Sequence, residues 1–153
     1  MKSVAIIGIG SPHGPDQMGW QAIESLKKDH ALQALNSDSI KILSLDRPGM
    51  ALLDYLNGVD YAILIDAIAG GTAGTIVEID KEQLQSESIL FSSHSAGVAE
   101  ALAMGAAIST LPQNIDIFAI QIGDLSSLYN PNLSTFKQLK QLVFDHIQSH
   151  LDL

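Results

Sequence analysis

Asp66 closes the most apolar stretch of the chain, Tyr61-Ala62-Ile63-Leu64-Ile65. A carboxylate in such surroundings is costly unless a partner, a proton or an ion compensates it. Two further groups fall at comparable places. Asp16 follows the turn GIGSPHGP at residues 8–15, which is itself fed by the apolar run SVAIIGIG. His94, in SSHSAG, precedes a small-residue stretch with helical spacing. In an open α/β sheet, sites form outside the carboxyl ends of the strands, and all three residues fall at such ends. Two carboxylates and one imidazole suit a divalent first-row metal with open coordination positions. Taken singly, each has a plainer role: a helix cap for Asp, a surface or core position for His.

The opening turn has two other readings. A dinucleotide fingerprint needs a third glycine where His13 stands, and an acid about 20 residues on. Asp46, at the end of the second apolar run, is 36 residues past Gly10. A negative residue at the helix start, Asp16, also opposes a pyrophosphate, and no G-K-[ST] triplet serves a nucleoside triphosphate. The second reading is a plain turn, with Gly8, Gly10 and Gly14 taking positive φ and Asp16 capping the helix.

Composition narrows the class. The 153 residues are 46% apolar, enough for a core, and fit one domain spanning 1–153. Formal charge is −9, from 8 Lys plus Arg against 17 Asp plus Glu, so a phosphate backbone would be repelled and nucleic acid is not an expected partner. Cysteine is absent, which removes disulfides, thiolate metal sites and thiol nucleophiles. No apolar run is long enough to span a bilayer, and the first residues pass into a glycine turn as a strand would. A cytoplasmic monomer with no membrane partner is the expectation.

The elements that must position these groups follow from periodicity. Strands are expected over Val4–Ile9, Ile40–Leu45, Tyr61–Ala67, Thr75–Ile79, Ser88–Phe91 and Ile115–Ile122, several nearly continuous in Ile, Leu, Val and Ala. Helices are expected over Asp16–Leu35, with Met18, Ala22, Ile23, Leu26 and the stem of His30 on one stripe, and over Pro48–Leu56. Two more cover Ser95–Ile108, with Val98, Leu102 and Ala106 inward, and Ser134–Leu151, with Ser134 as N-cap. The segment AIAGGTAGTIVEI reads as two strands joined by a glycine-rich link, an antiparallel pair. The fold class is α/β: a three-layer sandwich, mostly parallel with one antiparallel strand, and helices on both faces.

These residues carry a resemblance. IIGIGS with Asp16 and Gly19, LSLDRPGMALLDYL, YAILIDAIAGGTAGTIVEI, SSHSAGVAEALAMG and DIFAIQIG together resemble the nickel–iron hydrogenase maturation endopeptidases. That family trims the carboxyl terminus of the hydrogenase large-subunit precursor. Its members are small α/β sandwiches without a dedicated cofactor. The resemblance implies an aspartyl-type endopeptidase whose metal-contacting and catalytic residues are Asp16, Asp66 and His94, with Asp46 a second-tier candidate. Nickel would be carried by the substrate, already inserted, and the site would probe it. The family commonly has Asn where Ser11 stands and two adjacent acids before the helix glycine, against Asp16-Gln17 here. Counted from Gly10 the first ligand falls on Gln17; counted back from Gly19 it falls on Asp16, the better metal ligand. The alternative from another class is a non-catalytic metal- or nucleotide-binding module of the same architecture.

Other residues have weaker claims. His13 is read as a solvent-facing loop residue. His146 and His150 have the i, i+4 spacing of metal ligands, but no carboxylate third ligand is evident, and a solvated face is the expectation. Trp20 is read as core or rim packing. Ser92, Ser93 and Ser95 lack a G-x-S-x-G elbow.

Overall fold

The computed structural model describes residues 2–11, 17–35, 38–80, 97–124 and 133–151. Five strands form one sheet: β1 (Val4–Gly10), β2 (Ile40–Asp46), β3 (Tyr61–Ile68), β4 (Ile76–Ile79) and β5 (Asn114–Gln121). Their order is β2-β1-β3-β5-β4, with β4 antiparallel to β5 and all other pairs parallel. β1 and β3 are buried over nearly their whole length, as their unbroken apolar sequences require of strands covered on both faces.

Alternate residues of each strand serve opposite faces. On one face Val4, Ile6, Tyr61, Ile63, Ile65, Phe118 and Ile120 pack beneath α1 (Met18–Lys27), α2 (His30–Ala34) and the carboxyl-terminal helix. On the other, Ala5, Ile7, Ile9, Ala62, Leu64, Ile117 and Ala119 pack beneath α3 (Leu52–Leu56) and α4 (Gly97–Ala107). The result is the three-layer α/β sandwich. The carboxyl-terminal helix α5 (Leu133–Leu151) buries Thr135, Leu139, Val143 and Ile147, one residue per turn.

Several local expectations are corrected. Asp16–Leu35 is not one helix. The described part holds α1 and α2, because the Asp29 carboxylate accepts the Leu32 N–H and caps a new helix. His30 is therefore exposed rather than part of the α1 stripe. In α4 the inward stripe ends on Gly105, not Ala106, and a side chain there would overlap Leu111 and Leu53. Ser134 lies inside α5, which already includes Leu133, so it is not the N-cap. Gly8 and Gly10 lie in β1 and are not among the positive-φ residues; the role of Gly8 is close approach. Gly14 and the Ser88–Phe91 strand fall outside the described residues.

The antiparallel strand is present, but its partner is not the one expected. β3 is flanked on both sides by parallel strands, β1 and β5, so β4 has no free edge of β3 to join. The link after β3 instead crosses the end of β5. Gly70, Gly71 and Gly74 all take positive φ, and Gly70 bridges Gly123 through two backbone hydrogen bonds of 2.8 and 3.0 Å. β4 then runs back along the outer edge of β5.

Candidate functional site

The sheet divides at one place. β1 pairs with β3 only as far as Gly8 and Ile65. β1 continues beside β2 to Gly10 and Asp46, while β3 continues beside β5 to Ile68 and Gln121. β1 and β3 therefore part at Asp66, the first residue of β3 past the last pair. This is the switch point of the sheet, where the connection from β1 leads one way and that from β3 the other, and crevices form there in open α/β folds.

Two polar side chains are buried at the fork. Asp66 is 2% exposed and Ser11, directly after β1, is fully buried. The Asp66 Oδ1 accepts the Ala67 N–H at 2.7 Å. The first turn of α1 sits over the fork through Gly19, where a Cβ would overlap the carbonyl oxygen of Ile9 and crowd that of Ile65. Trp20, part-buried at the rim as expected, donates its indole N–H to the Leu45 carbonyl at 2.9 Å, tying α1 to the end of β2.

Of the residues singled out in the sequence, Asp66 stands at this fork. Asp16 and His94 lie outside the described residues, as do His13, Ser92, Ser93 and Ser95. Among the described residues, no three His, Asp or Glu side chains gather as a metal centre. Gln17, the rival to Asp16, opens α1 in a helical conformation, and its Oε1 is 3.5 Å from Gln21 Nε2 along the helix surface. It lines a surface groove of about 520 Å³ with Trp20, Gln21 and Lys28, on the outer side of α1. Asp46, at the end of β2, is exposed and bound by Arg47, with Nε at 2.7 Å and Nη2 at 3.4 Å from its two oxygens. β1 stands between it and Asp66 in the sheet.

One polar cluster escaped the sequence reading. His146 does not face solvent without carboxylates: its Nδ1 is 2.8 Å from Asp116 Oδ2 and its Nε2 is 2.9 Å from Glu78 Oε1. The i, i+4 spacing with His150 was visible, but the carboxylates come from β5 and β4, distant in sequence. This cluster is away from the fork, toward the starts of β3 and β5.

Of the three residues read from the sequence as a site, the described part of the chain contains Asp66 alone. A buried carboxylate such as that of Asp66 can in general serve as an oxygen ligand for a divalent ion or as a base for a proton.

Comparison with known proteins bears on which chemistry it is. The family model for HycI, hydrogenase maturation protease, matches residues 21–148. The solved structure of the hydrogenase maturating endopeptidase HybD from E. coli superposes with a TM-score of 0.72 at 18% identity, covering 98% of this chain and 92% of that one. HycI, a [NiFe] hydrogenase maturation protease from Thermococcus kodakarensis KOD1, gives 0.62 at 19% identity, covering 99% and 94%. HybD from Thermococcus kodakarensis gives 0.64 at 18%, covering 96% and 97%. These structural likenesses establish the same α/β fold. No curated protein matches the chain in sequence. The family model spans most of the chain, and on that ground the chain belongs to the hydrogenase maturation protease family, whose members are peptidases.

Proposed function

We propose that this peptidase removes the carboxyl-terminal extension of a nickel–iron hydrogenase large-subunit precursor once nickel has been inserted. The observation that carries the reading is the buried carboxylate of Asp66 at the point where β1 and β3 part. In this reading Asp16 and His94 join Asp66 around the nickel of the substrate. Two oxygens and one imidazole nitrogen suit a first-row divalent ion that brings its other ligands with it. The nickel is substrate, so the protein needs no resident metal or other tightly bound cofactor.

The same residues act on the peptide, in an aspartyl-type cleavage. A carboxylate beside the bound metal is placed to take a proton from attacking water, a role in which side chains contribute on the order of 10²–10⁴-fold. Asp46 has a lesser part, since Arg47 already engages its carboxylate at the surface. The protein acts as a cytoplasmic monomer. No helix among the described residues is long and apolar enough to cross a membrane.

The test is conversion of the precursor. Purified protein is incubated with a nickel-loaded large-subunit precursor, and the mass of the precursor is followed. Loss of a carboxyl-terminal fragment supports the reading. An unchanged precursor, with a folded enzyme present, overturns it.

A further inference from the structure

The sheet ends in two outer strands, β2 and β4, and the two edges are built differently. β4 is four residues long and is entered through a bulge. Gly74, at φ 91°, donates its N–H to the Gln121 carbonyl at 2.8 Å, while the Gln121 N–H returns to the Thr75 carbonyl at 2.8 Å. Two residues there oppose one, a device that bends an edge and limits its pairing. β2 has no such break. All seven residues, Ile40 to Asp46, stay in register with β1, with no proline and one lysine, Lys41.

That register fixes which backbone groups of β2 face outward. The Val4 N–H bonds the Ser39 carbonyl, and the Arg47 N–H bonds the Gly10 carbonyl. In a parallel pair one residue bonds the two that flank its partner. Val4, Ile6, Gly8 and Gly10 therefore take the odd-numbered residues of β2 and its flanks. Ile42 and Ser44 turn their N–H and C=O groups away from β1, and among the described residues no strand lies beyond them. An open row of this kind is a template for another extended chain.

Trp20 joins this edge to a receptive surface. Its indole N–H sits on the Leu45 carbonyl near the end of β2, and it also lines the groove of about 520 Å³ along α1 with Gln21, Ser25 and Lys28. The strip ends where the strands end, with only β1 between β2 and the strand that carries Asp66. At about 4.8 Å per strand, a chain on the outer edge of β2 lies roughly 15 Å from β3. About four or five extended residues cover that span.

We propose that the outer edge of β2 is the docking strip for an extended segment of the precursor, a few residues away from the bond that is cut. The inference rests on the precursor being the substrate, as proposed above. Main-chain pairing along Ile42 and Ser44 holds the segment, and the Trp20 groove takes its side chains. A second copy of this chain fits worse, since each copy carries a formal charge of −9 and the two repel.

The test is hydrogen exchange of the full wild-type chain, alone and with nickel-loaded precursor, in a short labelling pulse read by mass over β2. Alone, the Ile42 and Ser44 amides should exchange faster than neighbours bonded to β1. With precursor present, both should become protected. A second measurement uses Ser44→Pro, which deletes one outward N–H, leaves the β1 ladder whole and suits an edge strand. Its KM for the precursor should rise about 3- to 10-fold, the worth of one hydrogen bond, with kcat kept. No protection with precursor present, or a wild-type KM in folded Ser44→Pro, overturns the docking strip even where cleavage proceeds. Protection without cleavage upholds the strip and overturns the proposed processing instead. Protection in the protein alone, rising with its concentration, gives the edge to a second copy and overturns the proposal.

Discussion

Gly8 of β1 and Gly19 of α1 meet backbone to backbone: a Cβ on Gly8 would overlap the carbonyl oxygen of Gly19. The contact seats the first turn of α1 on the fork between β1 and β3, and it leaves no volume for a methyl group on either side. Packed backbone cannot yield as a flexible side chain can.

Gly19→Ala should therefore lower stability by about 1–3 kcal/mol, the usual cost of overpacking, despite the better helix propensity of alanine. Urea midpoints measure it. A variant as stable as wild type would mean that α1 does not rest on the fork as described.

Asp66→Asn tests the buried carboxylate. The amide keeps the shape and can still accept the Ala67 N–H, so the fold should persist, with stability equal to or above that of wild type. Processing should drop on the order of 10²–10⁴-fold, the span expected for a lost acid–base group. Full activity in this variant would remove Asp66 from the site.

The two ways of counting the opening turn give separable outcomes. The family match begins at residue 21, past both Asp16 and Gln17. Gln17 is engaged along the surface of α1 with Gln21, which is the behaviour of a helix residue rather than a ligand. Asp16→Ala should abolish processing, whereas Gln17→Ala should retain most of it. The reverse result would assign the first ligand position to an amide.

Much of this was legible in the sequence because it follows from local pattern. Runs such as Tyr61–Ile65 have no polar face, and only strands covered on both sides bury them, so the three layers could be read directly; Asp66, read as a strand end, lies within β3 two residues before its close, where only the pairing with β1 stops. What could not be read depends on contacts between distant segments. β4 looks like the second arm of a hairpin with β3 until β5, about fifty residues on, takes the edge it needed. Likewise His146 looks solvated until β4 and β5 bring Glu78 and Asp116 to its two nitrogens. The break between α1 and α2 was local, but Asp29 was hidden in a continuous helical pattern whose apolar stripe outweighs one capping residue.

Tyr61 offers a check on the amino-terminal end of the sheet. Burial, with Asp116 adjacent, raises its phenol above the ordinary tyrosine range. For a group raised on folding, the stabilising contribution is present below the unfolded value and is lost as pH climbs past it. In a spectrophotometric titration Tyr61 should stay neutral past the ordinary tyrosine range, and stability should decline above about pH 10. Tyr61→Phe should remove that alkaline decline. Ionisation of every tyrosine near its ordinary value, in the folded protein, would contradict the buried hydroxyl bond to Asp116.

The central claim is that the fork at Asp66 acts on a precursor through the nickel it carries. The most direct measurement compares the rate at which the purified protein shortens nickel-loaded and nickel-free forms of one precursor, by intact mass. The account predicts cleavage of the loaded form, no cleavage of the nickel-free form, and loaded-form cleavage slowed on the order of 10²–10⁴-fold in Asp66→Asn. Equal cleavage of both forms by the wild-type protein would contradict recognition through nickel.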